Sequence, residues 1–325
     1  MLMPTSRAVN SAFEVATVTL ISTLIFLSVV SLFLIFHLQF KSKSLKHLKN
    51  FNSLWAVRFL LVFLISLWSL SELLRLPLIR HLHLRLFSFL SDQNDQVSNQ
   101  VGLCKLHIIL SLGFFQPAFL VTLLFLFNAS IVTTAKNHFG TVLSVFLTCL
   151  PVSALHGILM FSTSWQRALP PTFRQAHVVV TDAFGEDTVL CTYPLLSSAV
   201  FAVFAIAYSA CFLLSCWNVL SLVINKGLRL RIYGLSTALL FALPIQVVAL
   251  GFTAVWTPES QLYGVFSLVV FLGAFVCAVT GEGFMVIKPI SDALDAGASF
   301  YSRSGPRDGD AGEKEMKVAG GEDLV

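Results

Sequence analysis

The chain has 325 residues, of which 56% are hydrophobic and only 12% are charged. Soluble domains carry about 25% charged residues, so this composition excludes an ordinary soluble domain and indicates a membrane protein. The formal net charge of +4 is small, and the sequence has neither a basic face nor a motif that reads nucleic acid, so no nucleic-acid partner is expected.

Seven apolar segments reach the roughly 20 residues that a helix needs to cross the hydrocarbon core of a bilayer. The runs are continuous rather than alternating, which favours helices over a barrel. The predicted fold is therefore an all-α, seven-helix transmembrane bundle packed around its third helix, with the lipid bilayer as its surroundings. We expect the helices at 13–40, 54–76, 105–128, 139–161, 194–224, 232–256 and 261–287.

Lysines and arginines predict the orientation, because basic loops stay in the cytoplasm. Placing the N-terminus outside leaves 14 of the 21 basic residues on the inner side. We therefore expect residues 1–12 to be an outer tail and 13–290 the transmembrane domain. The polar, glycine-rich residues 291–325 are expected to be a disordered cytoplasmic tail.

Three connections carry further predictions. The basic, apolar stretch 76–90 has the composition of a short helix that lies in the membrane interface, and the polar residues 91–100 are expected to form a loop. In the long outer loop between helices four and five, HVVVT at 177–181 and TVLCTY at 188–193 flank an acidic turn. This pattern predicts a β-hairpin.

Two of the six cysteines, Cys104 and Cys191, fall on the outer face of this topology. An oxidising compartment permits a disulfide there, and such a bond would hold the hairpin over the mouth of the bundle. The alternative is two unrelated thiols. The other four cysteines lie inside predicted helices and are expected to be small packing residues.

Polar residues inside a membrane are functional candidates because their burial is costly. Six residues toward the outer half are predicted to line a cavity or, alternatively, to lie at the level of the interface: Glu72, Arg75, Lys105, His107, Gln116 and His156. Toward the inner end, Arg58 and Glu282 are predicted to pair, as an interhelical tie or as a switch that opens on activation. Pro117, Pro151 and Pro244 are expected to kink their helices.

No metalloprotease HExxH, serine-hydrolase GxSxG or phosphate-binding P-loop motif occurs. The sequence therefore predicts no enzyme activity, no metal site and no cofactor.

The seven helices, the outer N-terminus and the cysteine pair resemble the architecture of G-protein-coupled receptors. The chain reads FNASIVTT and GEGFMVIKP where rhodopsin-like members carry their signature motifs. The resemblance therefore does not extend to G-protein coupling. The segments FNSLWAVRFLLVFLISLWSLSELLRLP at 51–77 and LCKLHIILSLGFFQPAFL at 103–120 are similar to a family of uncharacterised seven-span membrane proteins of land plants. That resemblance implies no activity and no functional residues.

Two functions from different classes remain open at this point. The first is a receptor-like protein that senses an extracellular or lumenal ligand or partner. The second is a transporter or channel for a small solute, which needs polar groups that continue through the bundle, such as Gln116, Asn218, Gln246 and Glu282. In either case we expect a multi-pass protein of the plasma membrane or, failing that, of an endomembrane.

Overall fold

The computed structural model describes residues 4–44, 54–76, 93–129, 138–162, 170–181, 187–222, 226–258 and 260–303. The first half contains α1 (Pro4–Ser44), α2 (Trp55–Leu73), α3 (Gln93–Ile108), α4 (Gln116–Ala129), α5 (His138–Phe161) and the short α6 (Pro171–Arg174). The strands β1 (His177–Thr181) and β2 (Asp187–Cys191) follow, and then α7 (Leu195–Leu222), α8 (Lys226–Val255), α9 (Gln261–Glu282) and α10 (Lys288–Arg303).

Seven helices in these ranges are long and apolar enough to cross a membrane, which confirms the predicted number of spans. The spans are Ala12–Lys41, Trp55–Leu73, Asn99–Ala129, Gly140–Phe161, Leu195–Ser221, Lys226–Val255 and Gln261–Asp295. Large apolar side chains point away from the bundle on several of them, for example Phe26 and Trp217. Such faces suit a hydrocarbon surrounding and make the chain an integral, multi-pass membrane protein.

The third span is the centre of the bundle, as its position in the sequence predicted. About 72% of its most apolar window is buried, against 17% for the fourth span. Leu120, Leu123 and Phe127 on this span are almost fully buried in the main core. The third span therefore supplies the surface against which the other helices are placed.

Two π-helical segments interrupt the described helices, and each ends two residues before a proline. Ile109–Phe115 joins α3 to α4 and precedes Pro117, and Gly283–Ile287 joins α9 to α10 and precedes Pro289. In both, the residue before the proline donates its N–H five residues back. A proline ring clashes with the carbonyl four residues earlier, and a widened turn relieves that clash. Pro151 and Pro244, by contrast, lie inside uninterrupted helices.

The β-hairpin is confirmed. β1 pairs with β2 in antiparallel register, with His177 opposite Cys191 and Thr181 opposite Asp187. Cys191 is joined to Cys104 of α3 by a disulfide with a Cα–Cα distance of 5.3 Å, which confirms the predicted bond. We call the end of the bundle that carries β1 and β2 the hairpin end.

Several helices extend further than predicted, because a helix that leaves the membrane has its polar side chains solvated by water. The predicted loop 91–100 is helical from Gln93, and α8 already begins at Lys226 instead of 232. The predicted N-terminal tail is helical from Pro4. The predicted interfacial helix at 76–90 lies, from residue 77 onward, outside the described residues.

The prediction of a disordered tail is wrong for residues 291–303. Helix α10 runs from Lys288 to Arg303, with Ile290 and Ala293 buried in the core. Asp292 fixes its polar side through Arg231, at 2.6 Å, and Lys288, at 3.3 Å. Composition alone misses this helix because its few apolar residues share one face.

Helices α8 and α9 approach closely at Gly273, which gives a direct test of the packing. A Cβ at this position would lie 2.7 Å from Gln246 Cβ and 3.1 Å from the carbonyl oxygen of Ala242. We expect Gly273→Ala to reduce the free energy of unfolding by about 1–3 kcal/mol, since the helices must separate. Thermal unfolding of the purified protein measures this loss.

Gly251→Ala on α8 is the matched control, because a Cβ there would meet no atom within 4 Å. It should leave stability unchanged or raise it by up to about 1 kcal/mol through helix propensity. Equal effects of the two substitutions would contradict the close approach at Gly273.

Candidate ligand site at the hairpin end

A buried carboxylate, Glu72, lies in the last turn of α2 at the hairpin end of the bundle. The Ser111 hydroxyl donates to Glu72 Oε1 at 2.6 Å. The indole N–H of Trp68, one turn earlier on α2, donates to Ser111 Oγ at 3.1 Å. The result is a chain of hydrogen bonds from an indole through a hydroxyl to a carboxylate, with all three side chains at most 4% exposed.

His107 lies beside this chain, one turn before Ser111 on the third span. Its Nδ1 is 3.0 Å from the carbonyl oxygen of Ser71, so that nitrogen carries a proton. Its Nε2 is 3.9 Å from Glu72 Oε2. A second proton on the imidazole would therefore face the carboxylate and form an ion pair with it.

Arg75 follows the end of α2 and faces the neighbouring spans. Its guanidinium donates to Tyr193 Oη at 2.8 Å and also to the hydroxyl of Ser267 on α9. It lies 5.4 Å from the centre of the Tyr193 ring, which adds a cation–π contact. Burial raises the pKa of Tyr193, so its phenol remains neutral and accepts the bond from Arg75.

The hairpin is held against the same region by two links. The disulfide fixes β2 to α3, and Tyr263 on α9 donates its hydroxyl proton to the Cys191 carbonyl at 2.9 Å. Val189 of β2 packs with the two cysteines in a small core of its own. The hairpin is therefore attached to the third and the seventh spans.

A cavity of about 120 Å³ lies between the hairpin and the ends of the first, second and seventh spans. Arg75, Tyr263 and Ser267 supply polar groups, and the acid Glu14 and Thr17 line it from α1. The remaining lining is largely apolar: Phe13, Leu76, Leu190, Cys191, Pro258, Gly264 and Leu268. This space fits a small polar group beside an apolar wall.

Below the cavity, three buried aromatic rings are in contact with one another. Trp68 stacks on Phe271 with ring centroids 5.5 Å apart, and Phe119 lies 6.0 Å from Trp68. These side chains are at most 2% exposed. We refer to Trp68, Phe119 and Phe271 as the aromatic floor, since Trp68 and Phe271 lie two turns and one turn below Arg75 and Ser267 of the cavity.

The structure brings together three of the six residues predicted for an outer cavity. Glu72 and His107 belong to one hydrogen-bonded group, and Arg75 lines the cavity next to it. The other three lie apart. Lys105 lies 5.9 Å from the centre of the Phe161 ring.

Gln116 and His156 are used for packing between helices. Gln116 Oε1 accepts a 2.8 Å bond from Gln246 Nε2 on α8, deep in the bundle. His156 donates from Nδ1 to the carbonyl oxygen of Val152 on its own helix, and its ring packs against Gly113. Neither residue lines the cavity.

The predicted contact between Arg58 and Glu282 is not present among the described residues. Glu282 instead accepts bonds from Ser28 Oγ at 2.7 Å and Ser31 Oγ at 3.1 Å, both on α1. The two serines precede Lys41 by 13 and 10 residues, so they lie about 15–20 Å deeper along α1. Glu282 is thus further from the end of its span than the sequence alone suggested.

The sequence contained one signal for the hydrogen-bonded group around Glu72, and the sequence analysis missed it. Trp68 and Glu72, and likewise His107 and Ser111, are four residues apart, which places each pair on one helix face. Tyr263 and Ser267 share this spacing on α9, but the sequence does not connect them or Tyr193 with Arg75, because only the packing of the folded chain brings these residues together. No cluster of three or more His, Cys, Asp or Glu side chains in the described ranges is arranged to hold a metal ion.

Comparison with curated proteins gives no match to this chain. A family model covers residues 3–299, which include all seven spans, the hairpin and both disulfide cysteines. The chain therefore belongs to the family described as "Uncharacterised conserved protein UCP031277".

Proposed function

We propose that the protein is a receptor-like membrane protein whose hairpin-capped cavity binds a small ligand with an acidic group. The observation that supports it best is the placement of Arg75 in a cavity above the aromatic floor. A guanidinium presents a planar set of donors that matches a carboxylate, and here it is joined by two hydroxyl groups. The apolar lining favours a ligand with a short hydrocarbon part.

The Glu72 group gives the cavity a connection to the bundle. Arg75 and Glu72 are three residues apart, and the carboxylate acts electrostatically on the guanidinium. A ligand that draws Arg75 away from Tyr193 and Ser267 changes the positive potential that the guanidinium exerts at Glu72. Glu72 is hydrogen-bonded to Ser111, which in turn accepts a bond from Trp68 of the aromatic floor. This places the proposed response at the second and third spans. The hairpin end faces the outside or a lumen in this proposal, as in the G-protein-coupled receptors that the architecture resembles.

A small-solute transporter is the second candidate, and one observation favours it. Polar side chains continue below the floor as the Gln116–Gln246 pair and then as Glu282 with its two serines. Transport requires the floor to open so that the cavity meets these groups. The side from which the cavity can be reached therefore distinguishes the two functions.

A cysteine at Thr17 tests the cavity and its access together. Thr17 lines the cavity but donates its hydroxyl proton only to Phe13 of its own helix, so Thr17→Cys leaves Arg75 untouched. We expect a membrane-impermeant anionic thiosulfonate to modify it about tenfold faster than the cationic analogue, because Arg75 attracts the anion. In Arg75→Gln this preference should disappear. Succinate, added as a carboxylate probe, should slow the labelling.

Thr23→Cys is the matched control, since Thr23 makes the same kind of backbone bond on α1 but faces away from the bundle. It should not react with either charged reagent.

Labelling of Thr17→Cys in intact cells, with none from the opposite side, supports the receptor. Labelling from both sides supports transport, and no labelling from either side contradicts a water-filled cavity.

A further inference from the structure

The second span carries a buried arginine at the end opposite the hairpin. Arg58 is 9% exposed, and its Nε has no hydrogen-bond partner in the described part of the chain. The ion pairs formed by the described residues do not include it. Removing a charge from water costs several kcal/mol unless a partner compensates it. Such a guanidinium therefore calls for an anion that is not part of the described chain.

The N-terminus of α2 lies next to this guanidinium. The helix begins at Trp55; its N-cap residue, Leu54, gives no side-chain hydrogen bond, and the first turn contains no acidic residue. The first amide N–H groups of a helix lack intrahelical partners and carry partial positive charge. Side chains on a helix lean toward its N-terminus, so Arg58 is directed toward these same amides.

The depth of Arg58 follows from the neighbouring helix. Phe36 of α1 and Phe59 of α2 are in contact, with ring centroids 5.9 Å apart. Arg58 therefore lies near the level of His37, about four residues or 6 Å inside Lys41, the last residue of the first span. An arginine at this depth reaches the layer of lipid phosphates.

We propose that Arg58 and the N-terminus of α2 form a binding site for a phosphate group, supplied by an anionic membrane lipid or by a soluble phosphate. The planar guanidinium binds two phosphate oxygens at once, and the positive end of the α2 dipole lies on the same side of the helix end. Glu282 does not compete for the arginine, because its carboxylate is held by Ser28 and Ser31 deeper in the bundle. This site is separate from the Arg75 cavity and does not depend on the proposed ligand there.

The experiment titrates purified full-length protein in a neutral detergent with short-chain phosphatidic acid or with inorganic phosphate. The thermal unfolding midpoint, followed against concentration, gives the half-saturating concentration of each probe. Binding should be saturable in wild type, and the half-saturating concentration should rise at least about tenfold in Arg58→Gln, which removes a charge-assisted double hydrogen bond. Arg58→Lys should lie between them. Lys41→Gln removes one positive charge at the same end and should bind like wild type.

The two probes identify the source of the phosphate. Saturation by phosphatidic acid alone supports a lipid, and saturation by inorganic phosphate as well supports a site open to soluble phosphates. Absence of saturation by both, or equal loss in Arg58→Gln and Lys41→Gln, overturns the proposal. Should Arg58→Gln not fold, Arg58→Lys carries the test, and an affinity equal to wild type overturns it.

Discussion

Glu72→Ala is expected to reduce the free energy of unfolding by about 3–5 kcal/mol, the usual cost of removing one partner from a buried polar network. The substitution leaves the Ser111 hydroxyl without its acceptor and shortens the hydrogen-bonded chain to the bond from Trp68 to Ser111. It also removes the negative charge near the half-buried Arg75 and the buried His107. Ser111 and His107 are fully buried, so neither recovers a partner by solvation. The midpoint of unfolding in mixtures of detergent and sodium dodecyl sulfate measures the loss.

Glu72→Gln separates charge from hydrogen bonding in this group. The amide oxygen still accepts from Ser111, so the hydrogen-bonded chain is kept while the charge is lost. We expect this variant to lie clearly between wild type and Glu72→Ala. In a double-mutant cycle, Glu72→Ala and Ser111→Ala should be non-additive by about 1–3 kcal/mol, because each removes the same 2.6 Å bond. Additive losses would mean that the two side chains do not act as a unit.

The seven spans were predictable because membrane insertion is decided locally. A continuous apolar run has its backbone satisfied only as a helix in lipid, whatever its neighbours are. The ends of the helices were less predictable, since a helix that enters water has no such constraint. Residues from Gln93 to Gln100 continue α3 although their side chains are polar. The apolar residues Ile290 and Ala293 hold α10 against the core although its overall composition is that of a disordered tail.

The candidate site was predictable only in part, for a different physical reason. Burying an ionisable residue in a membrane is costly, so Glu72, Arg75 and His107 could be selected from their type alone. Their hydrogen-bond partners could not be selected in this way. Ser111 is an ordinary helix residue until the third span packs on α2, and Tyr193 reaches Arg75 only after the chain returns from the hairpin. Arg58 and Glu282 were also selected by residue type, and their opposite charges near one end of the bundle predicted a pair. In the structure they lie at different depths and do not meet.

Breaking the Cys104–Cys191 bond should have the second large effect, a loss of about 2–4 kcal/mol in unfolding free energy. The bond closes a segment of 87 residues, so its removal restores much conformational freedom to the unfolded chain. Cys104→Ser, Cys191→Ser, the double variant and the reduced wild type should all lose the same amount, since one bond is lost in each case. Cys211→Ser should be neutral, because Cys211 is a free, exposed thiol on α7.

The same substitutions should open the cavity, because β2 provides two of its lining residues, Leu190 and Cys191. Without the disulfide, the bond from Tyr263 to the Cys191 carbonyl and the apolar contacts of Val189 must hold the hairpin alone. A single hydrogen bond contributes only about 0.5–1.5 kcal/mol, so the hairpin should detach more often. Labelling of Thr17→Cys by the anionic reagent should then accelerate, and its preference over the cationic reagent should persist because Arg75 is still present. Unchanged labelling in a protein shown to lack the disulfide would mean that the hairpin does not control entry, and that access to Arg75 lies instead between the ends of the spans.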